Sequence, residues 1–169
     1  MIVQCAPVRF VFVIGLAAVA CNSDRRTYAL RSNVGPDHAL IAEVSLKIPD
    51  GWPKPTVNDK LGWPRFDFGG GTSVGIATDE IHTATAKERV EQFDKNQLFR
   101  SEVERIDMPD GSRWVIDRDT KGTWASLIIP GPKDSLVICH IAAIKPGNES
   151  LLERSRSFCQ SLTVASPST

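Results

Sequence analysis

An α+β domain built on an antiparallel sheet is what this chain predicts, and three observations carry the prediction. Several segments alternate apolar and polar residues and are bounded by glycine or proline turns, the pattern of half-buried strands. Two other segments space their apolar residues for one face of a helix. The links between successive strands are too short for a parallel crossover, so neighbours pair antiparallel.

Taken in order, Ala42 to Ile48 (AEVSLKI) alternates and stops at Pro49-Asp50-Gly51. Arg65 to Phe68 and Thr72 to Ala77 flank Gly69-Gly70-Gly71, a glycine-turned hairpin. A helix follows, opened by Thr85 and Glu88 as a capping box, in which each side chain satisfies a free N–H of the first turn. Ala86, Val90 and Phe93 form its inner face, with Leu98 near its end. Ser101 to Asp107 and Ser112 to Arg118 make a hairpin around Met108-Pro109-Asp110-Gly111. Asp119 to Gly122 turns into Thr123 to Ile129, and Pro130-Gly131-Pro132 into Ser135 to Ile144. Asn148 is placed to cap a last helix whose inner face is Leu151, Leu152, Ser155, Phe158, Cys159 and Leu162. The order is β-β-β-α-β-β-β-β-α.

A strand ending in Pro-x-Gly-Trp (Pro49-Asp50-Gly51-Trp52), a mid-chain helix, four meander strands and a terminal helix bearing Ser157-Phe158 together resemble the PsbP-like fold. That fold includes extrinsic photosystem proteins and bacterial envelope lipoproteins such as the DcrB-like ones. The resemblance spans about Glu43 to Leu162. It implies an antiparallel sheet between helices and an accessory or binding role, and it transfers no catalytic residues, because one fold hosts unrelated functions.

The first 21 residues supply an address. Arg9 precedes an apolar run from Phe10 to Ala20, which is too short to span a hydrocarbon core roughly 30 Å thick. Ala18-Val19-Ala20-Cys21 resembles a lipobox, although the family prefers leucine where Ala18 stands. The resemblance implies removal of residues 1–20, a diacylglyceryl group on the Cys21 thiol, and further acylation that makes the anchor stable. The same residues also read as an A-x-A secretory site, which would leave Cys21 unmodified, and an uncleaved chain is a third alternative. Asn22 rather than aspartate after the cysteine resembles the pattern sent to the outer membrane, facing the periplasm. Residues 21–38, polar and holding Gly35-Pro36, read as a flexible tether with a reach of roughly 20–25 Å. A single domain is expected over 39–164 and a disordered tail over 165–169.

Composition narrows the partners. Lys plus Arg and Asp plus Glu each number 20, and without Arg9 the mature chain keeps one acid in excess. No basic stripe suits nucleic acid. No cofactor motif occurs: Gly69-Gly70-Gly71-Thr72-Ser73 lacks the Gly-Lys-Ser/Thr ending of a phosphate loop, and no nucleophile elbow is present. The histidines, His38, His82 and His140, show no metal-ligand spacing, so no metal site is expected. His82, near Asp79 and Glu80, reads as part of a solvated loop.

Cysteine usage is more specific. Cys5 leaves with the leader and lipid takes Cys21, which leaves Cys139 on the last long strand and Cys159 on the last helix. Outside the cytoplasm these can form a disulfide. Two buried thiols, or a Cys139 nucleophile beside His140, are the alternatives; strand neighbours point to opposite faces, which opposes the second.

The loop from Trp52 to Arg65, which opens on Gly51-Trp52-Pro53 and holds its echo Gly62-Trp63-Pro64 and the polar Asn58, Asp59 and Lys60, is the candidate contact surface, with Trp52, Trp63, Lys54 and Arg65 as candidate ligand-binding residues. A tryptophan on a proline-stiffened loop stacks on a sugar or peptide ring at low entropic cost. Equally, both indoles can plug the end of the sheet. Trp114 and Trp124, within strands, are expected in the core. The functional expectation is a membrane-anchored binding or accessory module for an envelope protein or glycan, with no catalytic residues. The alternative is an exported hydrolase whose site assembles from distant residues, His82 or His140 among them.

Overall fold

A computed structural model describes residues 25–83, 85–96, 103–132 and 134–167. The expected leader, Cys21 and Leu98 lie outside the described residues. The elements are β1 (Arg25–Arg31), β2 (Leu40–Lys47), β3 (Thr56–Val57), β4 (Pro64–Gly69), β5 (Thr72–Glu80), α1 (Ala86–Asn96), β6 (Val103–Asp107), β7 (Arg113–Asp119), β8 (Gly122–Pro130), β9 (Ser135–Ile144), α2 (Glu149–Gln160) and β10 (Thr163–Ala165). A seven-stranded sheet runs β3-β4-β5-β9-β8-β7-β6 and a three-stranded sheet runs β1-β2-β10. Their pairings are antiparallel. The class is the expected α+β.

β9 is the centre of the large sheet, and its sequence explains why. Val137, Cys139 and Ile141 point to one side and Leu136 and Ile138 to the other, all buried. A strand apolar on both faces must be covered on both. On one face α2 and the small sheet close the main core, in which Leu30, Val44 and Leu46 meet Phe66, Ile76, Trp114, Ile116 and Phe158. On the other face α1 brings Val90 onto Val115, Ile128, Leu136 and Ile138. The expected capping box of α1 is formed: the Thr85 N–H donates to Glu88 Oε2 at 2.9 Å and the Glu88 N–H to Thr85 Oγ1 at 3.2 Å. Polar contacts seat α1 as well. Asp94, buried, accepts hydrogen bonds from Arg105 and, at 3.4 Å, from Arg113. The same Arg113 donates to Asp107 and holds its carboxyl below the usual carboxylate range.

Several expectations are corrected. Residues 25–31 belong to the domain and not to a tether, because β1 pairs with β2 from Arg25 opposite Lys47 to Arg31 opposite Leu40. Tyr28 and Leu30 supply its inner face, and Leu30 is fully buried. β3 and β10 were not expected; the latter takes Ala165 out of the tail and into the small sheet. Asn148 stands at the N-cap position of α2 but its side chain makes no capping bond. Its carbonyl accepts from the Leu151 and Leu152 N–H groups instead. Trp114 is in the core, whereas Trp124 is half-buried and outside both clusters. It sits in a bulge between Thr123 and Ala125, where β8 loses register with β9.

One glycine has a sharp steric requirement. Gly62 has φ +70°, and a Cβ there would run into the carbonyl oxygen of Ala29 in β1. Gly62→Ala is therefore expected to cost at least about 2 kcal/mol, read by denaturant unfolding, since both strain and collision apply. Gly71→Ala, with φ +86° but open space around it, should cost clearly less.

Candidate functional site

β5 has two different faces. Val74, Ile76 and Thr78 point into the main core, while Ser73, Gly75 and Ala77 point to the α1 side of the sheet. By register Gly75 lies opposite His140 and Ala77 opposite Ile138. α1 packs on β8 and β9 at the Ile128, Leu136 and Ile138 end. Beyond it, among the described residues, the sheet face stays open. The result is a groove of about 450 Å³ lined by Thr56, Asn58, Trp63, Pro64, Arg65, Ser73, Gly75, Ile76, Ala77 and His140. Small side chains make its floor, and the loop before β4 makes its wall.

That wall is held by its own hydrogen bonds. The Asn58 N–H donates to the Trp63 carbonyl at 3.0 Å and the Gly62 N–H to the Asn58 carbonyl at 2.7 Å. Asn58 Oδ1 accepts from the Lys60 and Leu61 N–H groups, each at 3.0 Å. Trp63 Nε1 donates to the Arg31 carbonyl at 3.2 Å, and Thr78 Oγ1 donates to the same oxygen at 2.8 Å. The indole is thus fixed before any ligand arrives. No carboxylate lines the groove, and exposed Arg65 makes no ion pair among the described residues. Across the floor, His140 Nδ1 lies 2.9 Å from Ser126 Oγ, which fixes the imidazole plane. Ser126 itself is buried and does not line the groove.

The four contact residues expected from sequence divide. Trp63 and Arg65 share the groove. Trp52 does not face it: its ring lies edge-on to Phe66 and Phe68 at 5.2 and 5.1 Å and tilted on Phe158 at 4.6 Å, within the main core. The plug reading fits this indole, which is 9% exposed. Lys54 is exposed in a different hollow, shared with an edge of Trp52 and with Arg26, Pro53 and Pro55. Thr56 and Asn58 lie within the expected contact loop, whereas Ser73, Gly75 and Ala77 were not singled out in advance. The alternation of small residues in Ser73-Val74-Gly75-Ile76-Ala77 is the signal that could have found the floor.

Other expected positions have plain roles. Cys139 and Cys159 stand at disulfide distance with Cα atoms 5.7 Å apart, joining β9 to α2. This pairing is the expected one, and it removes Cys139 from nucleophilic chemistry. His38 Nδ1 is 3.0 Å from the Ser32 carbonyl oxygen. His82 is exposed and lies 3.7 Å from Asp134. Among the described residues no group of His, Cys, Asp and Glu could hold a metal ion. None of their helices is long and apolar enough to cross a membrane. A depression of about 470 Å³ between β8 and β10 reaches Cys159 and Asp110, but it carries neither an aromatic face nor a cation.

No protein-family model matches the chain, and no curated protein matches it. Among solved structures the chain is similar to the solution structure of cyanobacterial PsbP (CyanoP) from Synechocystis sp. PCC 6803. The match covers 90% of this chain and 99% of that one, with 13% identity and a TM-score of 0.46. The likeness concerns the fold alone and brings no ligand, partner or site residue to this chain.

Proposed function

We propose that this chain is a lipid-anchored binding module of the bacterial cell envelope, held through Cys21 at the outer membrane and facing the periplasm, and that its groove takes a saccharide. The observation that carries the binding role is the groove itself, floored by Ser73, Gly75 and Ala77 and walled by a fixed indole at Trp63. A pre-formed concave site with one aromatic face and a few convergent polar groups is what small-ligand recognition uses. A pyranose ring presents an apolar C–H face to stack on Trp63. Its hydroxyls then meet Arg65, Asn58, Thr56 and Ser73. Because the loop is already ordered, little entropy is lost when the ligand docks. The envelope address comes from Ala18 to Cys21 and Asn22 and from a disulfide that suits an oxidising compartment.

The test is a titration of the membrane-extracted protein with soluble disaccharide–peptides released from peptidoglycan, read by calorimetry. Trp63→Ala should lose about 2 kcal/mol of binding, roughly thirtyfold, as a central aromatic anchor does. Trp63→Phe keeps a stacking ring and should keep most of the affinity, and Arg65→Ala should fall between. A wild-type protein that binds none of these fragments rejects the saccharide assignment. Binding untouched by Trp63→Ala rejects the groove.

One observation favours a second reading, a hydrolase centred on the Ser126–His140 bond. The geometry argues against it: Ser126 shares the sheet face of its register partner His140, but it is buried and does not line the groove. A nucleophile has to reach its substrate.

A further inference from the structure

The domain begins closer to the proposed anchor than the sequence suggested, and basic side chains predominate on the corner where it begins. β1 starts at Arg25, so the chain between Cys21 and Arg25 reaches at most about 14 Å when fully extended. A floating tether of 21–38 would have held the domain clear of the bilayer; this short link cannot. Arg25 and Arg26 open β1, and Lys47 ends β2 directly opposite Arg25. Lys54 shares a hollow with Arg26. Arg154 of α2 reaches the same corner, where it donates to the Asp50 carbonyl at 3.0 Å. None of these basic groups makes an ion pair among the described residues. The nearby acids are Asp24, in the link itself, with Asp50 and Glu153, and Glu153 is engaged 3.4 Å from Arg156; five basic side chains outnumber these three.

We infer that this corner, formed by Arg25, Arg26, Lys47, Lys54 and Arg154, is a membrane-facing surface that rests on anionic lipid headgroups. The inference rests on lipidation of Cys21 as proposed above. Length and charge both lead to it. The link is only one to two screening lengths long at about 8 Å each, so the corner is held within the field of the bilayer. Each basic side chain close to an anionic leaflet strengthens binding about fivefold. The lipid chains supply the anchorage, and the basic corner sets which way the domain faces.

The experiment uses the full mature protein extracted with its native N-terminus. It is reconstituted into vesicles of phosphatidylethanolamine with or without phosphatidylglycerol. Amine acylation at each lysine is then quantified by mass spectrometry. In phosphatidylglycerol vesicles Lys47 and Lys54 should label about fivefold less than in neutral ones. High salt should erase the difference. Lys87 and Lys95, on α1 across the large sheet, should label equally in both. Arg25→Glu with Arg26→Glu should abolish the protection while the lipid keeps the protein on the vesicle, with thermal unfolding showing that it remains folded. A lipid-bearing protein whose Lys47 and Lys54 label alike in both vesicles overturns the surface and leaves the anchor standing. An intact mass without lipid overturns the anchor, and the proposed surface falls with it.

Discussion

Trp52→Ala is expected to destabilise the domain by about 3–5 kcal/mol, the range for deleting a buried aromatic side chain, and to lower Tm by roughly 10–20 °C. Trp52 is 9% exposed and packs against Phe66, Phe68 and Phe158. Its removal empties the junction where β4, α2 and the loop after β2 meet. Aromatic pairs in edge-on and tilted geometry add to the loss of buried area. The contrast with Trp63 is the informative part. Trp63→Ala should reduce ligand affinity with a smaller effect on stability, because that ring is half-buried on the groove wall. Thermal unfolding and calorimetric titration of the two variants side by side check both statements. A Trp52→Ala protein as stable as the parent would place that indole on the surface and return it to the list of contact residues.

Cys159→Ala should cost about 3 kcal/mol, the loop-closure value for a bridge between residues 20 apart in sequence. Both cysteines are fully buried beside Val137 and Ile141, so the truncated side chain also leaves a small void. The expected signature is twofold. The variant unfolds earlier than the parent, and a reductant lowers the parent's unfolding midpoint while leaving the variant's unchanged. A parent indifferent to reductant would mean that the two thiols lie together unbonded. The bridge links the central strand to the helix that roofs it, so its loss should loosen α2 before it loosens the sheet.

How much of this was legible in the sequence depends on how local each signal is. β9 was read with both boundaries correct, because two apolar faces and flanking Pro130-Gly131-Pro132 and Pro146-Gly147 leave one interpretation. The start of α1 was legible because a capping box is a four-residue device. β1 was missed because Arg25, Arg26 and Arg31 mask the two residues, Tyr28 and Leu30, that bury it. Its strand character comes from pairing with β2 and not from its own composition. β3 and β10, with two and three residues, are shorter than any periodicity can register. The identical Gly-Trp-Pro triplets at Trp52 and Trp63 show the limit most plainly. The first is buried by Phe66 and Phe158, the second is half-buried, tied to the Arg31 carbonyl and lining the groove, and neither fate is written within the triplet. The wall of the candidate site, Trp63 and Arg65 on the expected contact loop, was within reach. The floor needed β5 and β9 in register and the knowledge that α1 packs at the other end of the sheet face.

β10 has a consequence for how the molecule is assembled. Its partner β2 is flanked on the other side by β1, so the small sheet takes one outer strand from each extremity of the described chain. Arg25 Nη2 meets Thr163 Oγ1 at 3.0 Å across 138 residues of sequence. The β1–β2 hairpin can form early, but its free edge, Leu40–Lys47 with Ala42, Val44 and Leu46 on the inner face, stays open until residues 163–165 arrive. Such distant closure is slow, and an unpaired edge with an apolar face invites pairing with another chain. A chain crossing a membrane from its N-terminal end would expose that edge throughout its passage and shield it only with the last strand to emerge. Until β10 docks, the unfinished hairpin keeps that edge open to pairing with another chain.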